Sequence, residues 1–316
     1  MITAGVKPMA APAGRVTLRI AINTTTPAAV FLTGFAPALL GVLLAIEELG
    51  SVSPLLVVLL LAIPSLMNAA VASLNDYFDY VSGNDTAQNI VSEDDGPLAY
   101  HRVADPKPVL YFGVGLLVVA AVMGIYVICV SGPIPAAIGV LGAVIGLTYS
   151  GGKFSTSHLP IGEPLSGFTL GGLVPLGVYS ALTGRLELMV LYKAIPMMLI
   201  VSQFMLVNNT CDMDRDREAG RRTLPIVIGR AAAQRLADVV NIIWMGQLVH
   251  VVAAWYEKGL PVLLAALWMC RKGFFATYRY DRTRKTKPQV TAAVAQVAFW
   301  VAIGHLAAVT VHLLFI

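Results

Sequence analysis

The sequence predicts an all-α membrane protein, one bundle of about nine transmembrane helices spanning residues 1–316 as a single domain. Three observations carry this. First, 57% of the residues are hydrophobic and only 13% are charged, whereas a soluble domain carries about 25% charged residues. The mean hydropathy is +0.74. Second, apolar runs near 20 residues, the length a helix needs to cross a bilayer, recur along the chain. Third, lysine and arginine fall almost wholly in alternate loops. An ordinary soluble domain and a disordered chain are both excluded, because there is too much apolar surface to leave in water. The pI near 9.0 comes from loop cations and does not call for nucleic acid.

Taken in order, the predicted spans are 22–46, 54–80, 108–131, 133–150, 164–183, 188–211, 231–256, 259–275 and 289–315, the eighth being the shortest. Lys7, Arg15 and Arg19 ahead of the first run resemble the start of a signal peptide. The run is too long for a secretory segment and no small-residue cleavage site follows, so 1–20 reads as a segment before the first span. Glycines four apart, Gly142/Gly146 and Gly167/Gly171, read as close helix packing in lipid. Cys129, Cys211 and Cys270 are an odd count with neither a disulfide framework nor zinc spacing.

With the N-terminus inside, nineteen of the 22 Lys and Arg residues lie on one side. Arg185, Lys193 and Lys258 lie on the other. Cations collect on the cytoplasmic side of membrane proteins, which places the N-terminus inside and, after nine spans, the C-terminus outside.

The acids are more telling. Ten of the 18 occupy two windows, 76–95 and 212–218, both on the basic side. The first reads Asn75-Asp76-Tyr77-Phe78-Asp79, with Asp85 beyond a glycine at the predicted helix end. Asp76 and Asp79 share a helical face, with Asn75 at its border. The second holds Asn208, Asn209, Asp212 and Asp216, and Asp212 and Asp216 again share a face, while Asp214 points elsewhere. Carboxylates so placed repel one another and a cation relieves them. An all-oxygen donor set favours Mg²⁺ or Ca²⁺ over zinc, and Mg²⁺ prefers one or two carboxylates together with substrate phosphate oxygens. Two such helices face to face suit a diphosphate. The plain alternative is solvated loop charge offset by neighbouring arginines. Two Asn-preceded pairs at membrane-helix ends on one side favour a site instead.

These motifs resemble the UbiA superfamily of intramembrane prenyltransferases, whose pattern is Asn-Asp-x-x-Asp with a later Asp, then Asp-x-x-x-Asp four helices on. The stretch 75–86, Gly96-Pro97-Leu98, Tyr149-Ser150-Gly151-Gly152, Gly162-Glu163 and 216–224 resemble its MenA-type branch, which prenylates 1,4-dihydroxy-2-naphthoate. Nine spans with the N-terminus inside agree with that family. Two cations of the branch are missing. Ile22-Asn23-Thr24-Thr25 stands where an arginine usually leads into the first helix, and Cys211 stands where another precedes the second pair. Either Arg19 and Arg215 replace them, or the acceptor lacks the expected carboxylate.

The resemblance implies Mg²⁺-dependent transfer of a prenyl group from a prenyl diphosphate to an aromatic acceptor, in an integral membrane protein with a cytoplasmic active site. Asp76, Asp79, Asp212 and Asp216 are expected to hold the metal, with Asn75, Asn209 and Asp85 supporting them. Tyr149 and Lys153 resemble the family's diphosphate-proximal pair, against the alternative of an interfacial anchor beside a snorkelling lysine. Arg102 and Arg217 are further phosphate-binding candidates, with Arg221 and Arg222 sharing the ambiguity. Glu163 is either a substrate contact or a helix-start charge. Tyr77, Phe78 and Phe204 are candidates to shield an allylic cation. The five histidines show no metal spacing, and the basic stretch 279–287 reads as facing lipid headgroups. The expected partners are the diphosphate, the acceptor and the bilayer, with no nucleic acid and no obligatory protein partner. Two rivals remain. A terpene cyclase of the same type needs a closed aromatic pocket, and a cation-coupled transporter needs acids near mid-membrane.

Overall fold

A computed structural model describes residues 14–150 and 155–315. Among these residues all regular secondary structure is helical, apart from one isolated bridge between Gly14 and Val103. A short helix α1 (Leu18–Thr24) precedes nine apolar helices. These are α2 (Pro27–Leu49), α3 (Pro54–Val81), α4 (Lys107–Ser131), α5 (Pro133–Ser150), α6 (Gly162–Thr183), α7 (Met189–Glu218), α8 (Arg230–Trp255), α9 (Leu260–Thr277) and α10 (Lys287–Leu314). All but α5 have the length and hydropathy of a full membrane span, and α5 is a shorter apolar helix.

Two boundaries differ from expectation for clear reasons. The first span starts at Pro27 rather than at 22, because Thr26 adopts a left-handed backbone (φ +50°) that separates α1 from α2. Proline then takes the first helical turn, where its missing N–H costs nothing. The sixth span does not stop at 211 but runs on to Glu218. At 1.5 Å per residue its 30 residues reach about 45 Å, well beyond a hydrocarbon core of ~30 Å, so its last turns leave the apolar layer.

The centre of the bundle is packed by α2, α6, α7, α8 and α10, around Leu40, Met197, Trp244, Leu248, Tyr256 and Val301. Trp244 donates its indole N–H to Gln203 and Asn241, so the largest buried side chain of this core has its polar atom paired. By contrast α3, α4 and α5 form an outer layer. Only 17% of α4's most apolar stretch is buried, and Val118, Val122 and Ile125 stay exposed, as a lipid-facing surface requires.

The glycine pairs divide. At Gly171 a Cβ would lie 2.5 Å from the Met198 backbone of α7, so the α6–α7 contact depends on its absence. At Gly142 and Gly146 nothing lies within 4 Å. Those two do not pack a helix. They line a cavity of about 1070 Å³ between the outer layer and the core.

Candidate functional site

The cavity extends along α3 from Asp76 to Leu60, on the order of 24 Å at the helical rise. Its walls are aliphatic and glycine-rich, and the aromatic residues among its described lining are Tyr149 and Phe204. Its other end is closed by acids from three segments.

Helix α3 brings Asn75, Asp76 and Asp79. Asp79 accepts hydrogen bonds from Asn75 Nδ2 (3.1 Å) and Asn84 Nδ2 (3.1 Å) and an ion-pair bond from Arg221 (2.9 Å). The helix ends at Val81, and Gly83, at φ +78°, turns the chain so that the Asp85 amide donates to the Asp79 carbonyl at 3.0 Å. That turn buries Asp85 against Arg215, at 2.7 Å. Burial pushes the Asp85 carboxyl up to about 6, although Arg215 opposes the rise.

Helix α7 brings Asp212 and Asp216, each only 2% exposed. Asp216 meets Arg221 at 3.3 Å, and Asp212 meets Arg215 at 3.3 Å, Arg284 at 2.5 Å and Lys287 at 2.6 Å. The third segment is the turn 93–95, whose Asp95 also meets Arg284 (2.5 Å) and Lys287. Burial alone would raise the Asp95 carboxyl, but Lys287 and Arg284 beside it hold it below the ordinary carboxylate range.

Both acidic helices present their acids at their C-terminal ends, where the macrodipole is already negative. The repulsion is relieved by four side-chain cations, Arg215, Arg221, Arg284 and Lys287, set against six carboxylates. Two negative charges remain in excess. Asp76 Oδ2 is buried with no hydrogen-bond partner at all. As placed, no three Asp, Glu, His or Cys side chains among the described residues converge on one metal position. The donor chemistry still fits a hard divalent cation: all ligands are oxygens, they carry excess negative charge, and one buried carboxylate oxygen is orphaned.

The structure therefore gathers Asp76, Asp79, Asp85, Asp212 and Asp216 with Asn75, and sets Tyr149 and Asn209 on the cavity wall. Asn209 serves Glu163, donating to Oε1 at 2.9 Å, while Glu163 Oε2 is buried without a partner. Arg102 is exposed and away from the cavity, and Arg217, with 59% of its side chain exposed, pairs with Asp214 instead. The arginines of this segment that reach the acids are Arg215 and Arg221, and residues 212, 215 and 216 share one helical face that position 217 leaves. Lys153 lies outside the described residues. Of the two proposed replacements for the missing cations, Arg215 reaches the acids, whereas Arg19 reaches Glu93 on the surface at 3.4 Å. Phe204 lines the cavity, Tyr77 packs beside Ile20 and Leu98, and Phe78 is exposed.

Sequence reasoning missed Asp95, Arg284 and Lys287. The basic stretch 279–287 does not simply face headgroups. Arg282 is buried against Asp238 at 2.5 Å, and Arg284 and Lys287 turn into the acids. Their spacing of three ahead of Pro288, a helix-start residue, was the available signal.

The UbiA prenyltransferase family model matches residues 34–303. The chain is 30% identical over 223 residues to a 1,4-dihydroxy-2-naphthoate octaprenyltransferase of Bacillus subtilis (strain 168), covering 70% of each chain. It is 31% identical over 268 residues to UbiA prenyltransferase domain-containing protein 1 of Ailuropoda melanoleuca, covering 83% of this chain and 76% of the relative. Its fold is similar to that of a UbiA homolog from Archaeoglobus fulgidus bound to GPP and Mg²⁺, at a TM-score of 0.64 and 13% identity over 92% of this chain and 99% of that one. With nine apolar helices, a family match across most of its length and a naphthoate prenyltransferase among its relatives, the chain belongs to the UbiA prenyltransferase family and is an integral-membrane prenyltransferase.

Proposed function

We propose that this enzyme carries out Mg²⁺-dependent transfer of a polyprenyl group from its diphosphate to an aromatic acceptor of the 1,4-dihydroxy-2-naphthoate class. The observation that carries this reading is the orphaned Asp76 carboxylate within an acid-rich cluster at the mouth of a long aliphatic cavity. The cluster suits the diphosphate and the cavity suits the isoprenoid tail.

In this reading Asp76, Asp79, Asp212 and Asp216 hold Mg²⁺, with Asn75 and Asp85 orienting and completing the set. When bound, Mg²⁺ neutralises the diphosphate and stabilises it as a leaving group. Arg215 and Arg221 supply further positive charge where negative charge builds on the departing oxygens. Tyr149 stands on the cavity wall, and Lys153 is assigned to the same charge stabilisation by its place in the motif alone. The allylic C–O bond breaks with its electron pair on the diphosphate. The electron-rich ring then supplies the electron pair for the new C–C bond and regains aromaticity by losing the group on that carbon, a proton or the carboxylate as CO₂, whose bonding pair returns to the ring. Glu163 and Asn209 border the same end and belong to the acceptor side. The low aromatic content of the cavity supports transfer over cyclisation, and the position of the acids at one bundle end supports chemistry over ion passage. The acid end is assigned to the cytoplasmic side by its cations.

The test is an assay of membranes with prenyl diphosphates of several lengths, Mg²⁺ and a panel of aromatic acceptors. Metal-dependent prenylation of a dihydroxynaphthoate that is lost in Asp76→Ala and Asp212→Ala is expected. Unchanged turnover in both variants, or a cyclised product without acceptor, would overturn the reading.

A further inference from the structure

Arg284 and Lys287 approach the acids from the loop before α10 and from that helix's first residue. Each contacts the same two carboxylates, Asp95 and Asp212. The two acids lie on different segments, so the cations tie together parts of the chain 72 to 192 residues apart. Lys287 is only 7% exposed. A lysine there is doubly disfavoured. It is buried, and it sits at a helix N-terminus, where the dipole is already positive. Asp95 and Asp212 are what hold it in place, and a divalent cation on Asp212 would compete for the same oxygens and repel both side chains.

The cavity gives a displaced Lys287 somewhere to go. Lys287, Pro288 and Thr291 line the cavity mouth beside Asp212 and Asp216. The loop itself is anchored independently. Arg282 donates to Asp238 (2.5 Å) and to the carbonyls of Gln234 and Thr277 (3.3 Å each), and its own carbonyl accepts from Arg230 (2.6 Å). Lys287 can therefore exchange partners while the backbone stays fixed, and Arg284, which also donates to the Asn89 carbonyl (3.1 Å), keeps that bond when it leaves the acids.

We propose that Arg284 and Lys287 form a cation latch, which occupies Asp95 and Asp212 in the ligand-free enzyme and turns to the phosphate oxygens when metal and diphosphate enter. This rests on the metal–diphosphate reading of the site above. It makes both residues diphosphate ligands and makes metal binding and diphosphate binding mutually dependent. A metal ion alone must displace the latch with no gain from it, while metal together with diphosphate gives the latch an anion to hold.

The test uses the full-length protein in detergent and two probes: Mn²⁺ alone, followed by electron paramagnetic resonance, and inorganic pyrophosphate with Mg²⁺, followed by calorimetry. Removing the latch charge must move the two affinities in opposite directions. Lys287→Met is expected to tighten Mn²⁺ alone by several-fold and to weaken pyrophosphate about tenfold. Lys287→Arg is expected to stay near the wild type in both. Arg284→Gln repeats the test from the other cation, should Lys287→Met fail to fold. If both affinities fall together, or neither changes, the pair is a fixed structural bridge and the proposal is wrong. If the wild type binds neither probe and Asp212→Ala is no different from it, the metal–diphosphate reading fails and the latch fails with it.

Discussion

Each end of the bundle carries carboxylates, and the two sets are handled differently. At the end away from the cavity mouth, Glu47 accepts from Lys193 (3.0 Å) and Tyr256 (3.0 Å), and Glu48 accepts from Tyr179 and Arg185. Two acids thus meet four donors drawn from three other parts of the chain, beside a small cavity of about 340 Å³. At the other end six acids meet four cations, and one buried oxygen of Asp76 meets nothing. Both arrangements place acids at helix ends. The first is closed, with every carboxylate matched, and ties α2 to α6 and α7. The second is left short of positive charge and opens on a long cavity. Acidity at a helix terminus says little by itself. The balance of donors to acceptors, and the space behind them, separates a clamp from a binding site.

The largest expected effect tests this contrast directly. Asp76→Ala or Asp212→Ala is expected to lower turnover by about 10²–10³-fold. Glu47→Gln is expected to leave it within about threefold, measured on the same membranes. Equal losses at both ends would erase the distinction.

Acidification should separate activity from stability. The folded Asp85 carboxyl titrates at about 6, above the 3.8 of an unperturbed one. A raised acid pKa means that the charged form costs the fold stability at neutral pH, and that this cost is relieved progressively as pH falls from about 6 towards 3.8. The ionised form is nevertheless the one that pairs with Arg215 and that the proposed metal site needs. Turnover is expected to fall up to tenfold per unit below pH 6, while protonation of Asp85 does not lower the thermal midpoint. A pH–rate profile beside a melting series would show both.

The glycines offer a smaller contrast. Gly142→Leu fills open cavity and is expected to shift preference from long to short prenyl diphosphates by about tenfold, with the fold intact. Gly171→Ala meets the α7 backbone and is expected to destabilise by about 1–3 kcal/mol with no change in chain preference. Chain-length competition assays and thermal shifts would separate them.

The smallest effects belong to the clamp. Glu47→Ala leaves Lys193 and the Tyr256 hydroxyl without their partner and is expected to cost about 1–3 kcal/mol. Arg185, with 72% of its side chain exposed, is expected to contribute no more than about 1 kcal/mol when changed to Ala. Thermal unfolding in detergent would rank the two.

Much of this was legible in the sequence. The nine helices, the alternation of loop cations and the pairs Asp76/Asp79 and Asp212/Asp216 were readable because a bilayer imposes a length on each span and a helix imposes a spacing on each face. The prolonged end of α7 was misjudged, because its last turns lose apolar character while remaining helical. The arginine preference went to Arg217, although position 215 shares the face of Asp212 and its side chain reaches Asp85.

What the sequence determined by itself was thus everything governed by short-range periodicity and by hydropathy: the class of fold, the spans, and the two acidic faces. Only the tertiary structure decided which distant groups meet those faces. Asp95 and Arg284 join the site from turns and loops and Lys287 from the start of α10, and Gly142 faces open space while Gly171 is packed. Local spacing puts Arg284 and Lys287 on one side of a helix start but does not say which groups they meet, because that depends on how helices far apart in the chain dock. That docking, set by packing of the core around Trp244 and Met197, fixes how many cations reach the acids and how many negative charges are left over.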